Sequence, residues 1–191
     1  MRARCAGRSR WVLLRRRYEQ TGSRGVMSAG NVALAAGGQV DDVRAEERYR
    51  LRLRLDRLCT EQGDVALVLR SWLALRAERI EYEASDALAV SADERLTLSG
   101  VSDNDSGVTR SNETEAYVRA GDLANVERGN ALFRVGRGEG NVVLHAVGDS
   151  DAGWLRTSAL LTAADLAERV DVRSRTQATV LVRQWCESRE R

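Results

Sequence analysis

The chain has 191 residues, of which 43% are hydrophobic, and its formal net charge is +2. This length and composition permit one medium-sized domain with a core, and no apolar run approaches the length of a membrane span. All 30 basic residues are arginines, and the chain contains neither lysine nor proline. Without lysine, Schiff-base nucleophiles, lysine general bases and lysine-dependent phosphate loops are excluded.

The positive charge is concentrated at the N-terminus. Residues 1–24 contain eight arginines and one acid, whereas the other 167 residues carry 22 arginines and 27 acids. Residues 1–26 are therefore predicted to form an arginine-rich arm without regular structure, followed by a Gly/Ala linker over residues 27–39. Such an arm favours phosphate contacts with nucleic acid or another polyanion, and its candidate binding residues are Arg8, Arg10, Arg15, Arg16 and Arg17.

Two other interpretations of the arm remain open. Arginine-rich, acid-poor leaders are typical of mitochondrial transit peptides, and translation starting at Met27 would remove the arm altogether. A cytoplasmic location is favoured, with a mitochondrial one expected if residues 1–26 are a transit peptide.

Residues 40–185 are predicted to form a single α+β domain, followed by a polar tail over residues 186–191. Apolar residues at helical spacing predict a helix over residues 43–58, although Leu and Arg also alternate there as in a half-buried strand. Good helix propensity favours the helix. Asp64 is the predicted N-cap of a second helix over residues 65–84, which would complete a helical hairpin.

The second half is predicted to consist mainly of short antiparallel strands. Alternating apolar residues predict strands over residues 96–101, 116–120, 131–135 and 142–147. A long exposed loop is expected over residues 99–115, and the glycines of Gly136–Gly140 indicate a hairpin connection. The predicted fold is therefore α+β, and a mostly-β arrangement is the alternative.

The C-terminal region is predicted to contain one helix. Thr162 and Asp165 are spaced as in a capping box, which predicts a helix from Thr162 to Val170. Residues 170–173 and 178–185 are predicted to be strands that close the sheet.

The clearest catalytic motif is Gly148-Asp149-Ser150 at the end of a predicted strand. It resembles the nucleophile block of GDSL-type esterases, which makes Ser150 a weak candidate catalytic nucleophile. In that family a histidine base follows downstream, but the single histidine, His145, precedes Ser150. A serine without a base is a poor nucleophile, so a GDSL-like serine hydrolase is kept only as an alternative function, and His145 is interpreted as an incidental strand residue.

Metal, cofactor and disulfide motifs are not predicted. The acidic segment from Ser102 to Gly107 has the wrong register for a calcium-binding EF-hand loop and is interpreted as an Asx-rich turn. Gly136–Gly140 precedes a strand, whereas a phosphate-binding loop needs a helix N-terminus. Cys5, Cys59 and Cys186 are scattered without a CxxC pair, so neither a zinc site nor a disulfide framework is indicated.

The absence of both lysine and proline points to an unusual origin. GC-rich coding DNA accounts for the abundant Arg, Ala and Gly and for the missing lysine, but proline codons are GC-rich too. The composition resembles antisense reading-frame products, such as those read opposite heat-shock chaperone genes and called NAD-specific glutamate dehydrogenases. This resemblance implies a translation product without an assignable activity, and no motif accompanies it. Polyanion binding through the arm is the main alternative.

Overall fold

The structure is a computed structural model that describes residues 34, 37, 44–109, 112–148 and 158–189. This part of the chain contains six α-helices and a five-stranded mixed sheet, which confirms the α+β class. The helices are α1 (Ala45–Thr60), α2 (Val65–Leu73), α3 (Ala87–Val90), α4 (Leu123–Gly129), α5 (Ala159–Glu168) and α6 (Val172–Arg189). The strands are β1 (Glu78–Glu83), β2 (Leu96–Leu98), β3 (Thr114–Arg119), β4 (Phe133–Arg134) and β5 (Val142–Val147).

The first predicted helix is confirmed as α1. Leu51, Leu55 and Leu58 recur at helical spacing and are buried, while the arginines between them face outward. Acids in its first turn and Arg57 in its last turn complement the helix dipole.

The second helix is shorter than predicted. Asp64 is its N-cap and accepts a hydrogen bond from the Leu67 amide at 3.0 Å. However, α2 ends at Leu73, and the rest of the predicted helix forms strand β1. The alternation of Ile80 and Tyr82 with glutamates in β1 is a strand pattern, so the prediction of one helix over residues 65–84 is wrong.

The strands are arranged in the order β2-β3-β5-β1-β4. All neighbouring pairs are antiparallel except β3 and β5, which are parallel. Strands β4 and β5 pair with opposite edges of β1, so Gly136–Gly140 crosses β1 and the predicted hairpin connection is wrong. Gly140 lies so close to this strand that a Cβ would be 2.5 Å from the Tyr82 carbonyl oxygen.

The C-terminal region contains two helices, which corrects two predictions. Helix α5 starts at Ala159, so Thr162 and Asp165 lie inside it and do not form its cap. The segments predicted as closing strands belong largely to α6, where Ala178, Leu181, Val182 and Cys186 are buried at helical spacing.

The predicted exposed loop over residues 99–115 is also wrong within the described residues. The chain turns through two 3-10 segments, Gly100–Ser102 and Asn104–Ser106, and all of the first segment is buried. Asp103 accepts hydrogen bonds from the Thr162 hydroxyl at 2.6 Å and the Asp105 amide at 3.0 Å. These contacts attach the turn to α5.

Two apolar cores cover the two faces of the sheet. The larger core contains buried side chains of α1, α2, α5 and α6 together with Tyr117 and Val147 of the sheet. The smaller core joins α3 and α4 to the opposite face, which includes Ala116, Val118 and Leu144. The site described next lies on the face covered by the larger core.

A disulfide joins Cys59 at the end of α1 to Cys186 in α6, with a Cα–Cα distance of 5.5 Å. The expectation that the cysteines form no disulfide is therefore wrong. The two residues are 127 positions apart in sequence, and no short motif marks such a pair. In the described part of the chain, no helix has the length and apolar character needed to cross a membrane.

Candidate functional site: a buried charged cluster and an arginine-rich helix face

The candidate residues named from the sequence are outside the described part of the structure, apart from His145. Ser150 and the five arginines Arg8, Arg10, Arg15, Arg16 and Arg17 belong to segments that the structure does not describe. Catalysis by Ser150 and polyanion binding by the arm therefore stay predictions.

Polar side chains from several elements meet between the sheet and α5. Glu115 and Tyr117 lie on one face of β3, and His145 lies on the neighbouring strand β5, opposite Tyr117. Asp165 approaches from α5 above them. The buried cluster, as we call it, consists of Arg76, Ser99, Glu115, Tyr117, His145 and Asp165, each at most 5% exposed.

Asp165 is the centre of the hydrogen bonds in the buried cluster. Its Oδ1 accepts hydrogen bonds from the Tyr117 hydroxyl at 2.8 Å and from Arg76 Nε at 3.1 Å, and Arg76 Nη2 also donates to it. Its Oδ2 accepts a hydrogen bond from the Ser99 hydroxyl. A carboxylate in a buried helix needs such partners, because an unpaired charge in the core is costly.

Arg76 uses all its guanidinium nitrogens. Nε also donates to the Tyr117 hydroxyl at 2.6 Å, and Nη1 donates to the Leu73 carbonyl at 2.9 Å and to Glu168. Arg76 thus closes the C-terminal end of α2 and links it to α5. Lysine has three donors on one atom and cannot form this planar fork.

The pKa values of these groups reflect burial together with opposite charge. Burial opposes ionisation of Asp165, but Arg76 and His145 outweigh it and hold the pKa of its carboxyl below the ordinary value. Burial likewise lowers the pKa of Arg76, yet Tyr117, Asp165 and Glu168 raise it well above its ordinary value. Burial raises the pKa of Tyr117 well above 10. Arg76 and Asp165 are therefore a charged pair bridged by a neutral phenol.

His145 is not an incidental strand residue, which corrects the sequence interpretation. Only 1% of its surface is exposed, and its Nε2 lies 3.1 Å from Glu115 Oε1 and 3.7 Å from Asp165 Oδ1. Its ring stacks on Tyr117 with centroids 4.9 Å apart. The sole imidazole of the chain thus lies between two buried carboxylates.

Glu115 has one carboxylate oxygen that lacks a hydrogen bond. Its Oε2 is buried without a hydrogen-bond donor, and the nearest cation is Arg169 Nη1 at 3.7 Å. Gly100, at a φ of +54°, makes room for this oxygen, since a Cβ there would be 2.2 Å away from it. A carboxylate oxygen in this position can accept a further donor or a cation.

Charged side chains surround the buried cluster. Glu168 pairs with both Arg76 and Arg79, and Arg169 pairs with Glu113 and lies 3.5 Å from Asp171. These groups are more exposed than the cluster itself, so they connect it to the protein surface.

The outward face of α1 is a second candidate site. Helix α1 contains five arginines and three acids, and Arg50, Arg52 and Arg57 are exposed. Tyr49 and Leu53, one turn apart, are 65% and 51% exposed. Exposed arginines beside an aromatic side chain are the groups that bind phosphates and stack on bases.

Comparisons with known proteins give no functional assignment. No family model, no curated protein and no solved structure matches the chain. Any functional conclusion must therefore come from the chemistry of the two sites.

The buried cluster predicts a specific dependence of stability on pH. Folding lowers the pKa of Asp165, so its carboxylate stabilises the native state at pH values above the unfolded pKa of about 3.9. This stabilisation is lost as the pH falls through the folded pKa. We expect Asp165→Asn to reduce the free energy of unfolding at pH 7, with the difference from the unmodified chain narrowing below about pH 4. Urea denaturation over a pH series measures this, and a difference independent of pH would contradict it.

Proposed function

We propose that the chain binds nucleic acid through the outward face of α1, with the arginines of residues 1–24 adding charge. The observation that carries the proposal is the position of Arg50 and Arg57, both exposed on the same side of α1 and two turns apart. The seven-residue separation corresponds to about 10.5 Å along the helix axis. Arginines in this arrangement suit contacts with more than one phosphate.

The charge distribution supports nucleic acid as the partner. From residue 25 onward the chain has more acids than arginines, yet α1 has a net charge of +2 over Ala45–Thr60. The adjacent Tyr49 side chain offers a flat surface for base stacking. Phosphate contacts supply affinity without reading sequence, so binding is expected to be non-specific and strongly salt-dependent.

Fluorescence anisotropy with a labelled DNA oligonucleotide tests the proposal. We expect Arg50→Gln with Arg57→Gln to weaken binding and to reduce the slope of log K against log salt concentration by about two. The matched control, Arg119→Gln with Arg137→Gln, removes two exposed arginines elsewhere and should bind as the unmodified chain does.

The full-length chain and a chain lacking residues 1–26 separate the two basic regions. Loss of affinity on truncation, together with a further loss from the α1 substitutions, would support a combined surface. If the full chain does not bind at low salt, or if the α1 variant and its control bind equally, α1 is not the binding surface. Binding to heparin that matches binding to DNA would indicate a general polyanion site.

The composition supports a second proposal, that the sequence arose as an antisense or otherwise non-selected reading frame. The specific observation is the lack of any proline in a chain rich in residues with GC-rich codons. The coding DNA tests it directly, because a better-supported long frame should lie on the opposite strand. If no such frame exists, the proposal fails.

A further inference from the structure

We infer that Glu115, His145 and Asp165 form a binding site for one divalent transition-metal ion. One imidazole and two carboxylates are a donor set that suits ions such as Zn²⁺, Co²⁺ and Mn²⁺. The site is independent of the proposed nucleic-acid surface, because none of its residues belongs to α1 or to the arm.

The backbone brings the three donors together before any ion binds. Glu115 and His145 are on adjacent parallel strands, and Asp165 lies on the helix that packs over this face of the sheet. One ligand atom from each residue lies within 4.8 Å of the other two. Such a preorganised arrangement reduces the cost of assembling the ligands.

Two of the three distances between ligand atoms are close to those around a coordinated ion, and the third, between Glu115 and Asp165, is within 4.8 Å. Ligand atoms about 2.1 Å from a metal are about 3.0 Å apart at octahedral angles and about 3.4 Å apart at tetrahedral angles. His145 Nε2 is 3.1 Å from Glu115 Oε1 and 3.7 Å from Asp165 Oδ1. Two of the three separations thus need changes of only a few tenths of an ångström.

The Glu115 oxygen without a hydrogen-bond donor is the independent observation that favours a cation, since its nearest positive group, Arg169 Nη1, is 3.7 Å away. Oε2 is buried and accepts no hydrogen bond, which normally costs free energy. A metal ion that binds Glu115 through both oxygens satisfies it. Gly100 lets the carboxylate lie in this position, because any larger residue would place a Cβ 2.2 Å from Oε2.

Arg76 restricts the direction from which an ion can reach Asp165. It donates to Asp165 Oδ1 from one side, so the ion would approach Asp165 from the side of His145 and Glu115. Arg76 and Tyr117 then act as outer partners that orient the ligating carboxylate, a role such groups have in metal centres. The guanidinium charge beside the ion is expected to lower affinity compared with an all-anionic site.

Metal binding can be tested without any substitution, because the chain contains one histidine and all imidazole signals therefore come from His145. The full-length, chelator-treated protein is titrated with Co²⁺ while the imidazole proton signals are followed by NMR spectroscopy. We expect one equivalent of Co²⁺ to shift or broaden the His145 signals and to produce a visible spectrum without thiolate charge transfer. His145 signals that remain unchanged at one equivalent would overturn the inference, and a thiolate spectrum would place the ion on Cys5 instead.

Substitutions then identify the carboxylate ligands. Glu115→Gln should weaken Co²⁺ binding by at least about tenfold, as expected for a ligand or its immediate partner. Glu168→Gln is the matched control, because Glu168 pairs with Arg76 but is not one of the three donors. The affinity of this variant for Co²⁺ should be nearly unchanged. Near-UV circular dichroism checks that both variants fold. Equal Co²⁺ affinities of the two folded variants would exclude Glu115 as a ligand and overturn the proposed site. If Glu115→Gln fails to fold, the NMR titration of the unmodified chain decides.

Discussion

Arg76→Met is expected to lower the free energy of unfolding by about 3–5 kcal/mol, because it removes the main positive charge that compensates the buried Asp165 carboxylate. Arg76 is 5% exposed, and its partner Asp165 is fully buried. The substitution keeps an unbranched apolar stem, although a shorter one, and removes every donor. Tyr117 and Ser99 remain as partners of Asp165, but neither carries positive charge.

Two controls separate the loss of charge from the loss of packing. Arg134→Met removes an ion pair with Glu127 in which the arginine is 57% exposed, and we expect a change of less than about 1 kcal/mol. The double variant Arg76→Met with Asp165→Leu removes both charges and should recover much of the lost stability. If it is no more stable than Arg76→Met alone, buried charge is not the cause. Chemical denaturation with urea provides all three values.

Replacing Cys59 and Cys186 together by alanine is expected to cost about 3–5 kcal/mol. The disulfide closes a loop with a sequence separation of 127 residues, which restricts the unfolded chain strongly. It also attaches α1, whose buried leucines are its main other contact with the core. Denaturation of the oxidised chain, the reduced chain and the double variant measures the effect.

The reduced chain and the double variant should have similar stabilities, since both lack the same crosslink. Cys5→Ala is the control, because Cys5 is not part of the disulfide, and it should leave stability unchanged. Equal stability of the oxidised and reduced chains would contradict the expected contribution.

The elements that the sequence predicts well are those with an unambiguous pattern of apolar residues. Strand β5 coincides with the predicted range because Val142–Val147 is apolar apart from His145, and all six residues are buried. Helix α6 was predicted as strand because Val180, Leu181 and Val182 form a short apolar run with branched side chains. Its buried residues actually repeat at three- and four-residue spacing, and packing against α5 decides the outcome.

The buried cluster could not be predicted, because its members are distant in sequence and joined by strand register. Glu115 and His145 meet only because β3 and β5 are parallel neighbours. Parallel pairing across an intervening helix and strand has no local signature. The signal available was a lone histidine in an apolar strand, which by itself does not reveal a partner. The pairing of Cys59 with Cys186 could not be predicted either, because the two residues are 127 positions apart in sequence.

The lack of lysine has a structural consequence inside the core. The only side chains in this chain that can carry a permanent positive charge are arginines, and a guanidinium is not deprotonated in proteins. Arg76 therefore cannot avoid the cost of burying its charge by losing its proton, as a buried lysine can. Its extensive pairing is a requirement for folding rather than an optional addition.

The position of β5 constrains the order in which the molecule can fold during synthesis. Among the residues that the structure describes it is the last strand in sequence, yet it lies between β3 and β1 at the centre of the sheet. Until residue 147 has left the ribosome, β3 and β1 each have an open edge with unpaired amide and carbonyl groups. Such edges are templates for association with other chains. The nascent chain is therefore most vulnerable to aggregation before β5 inserts.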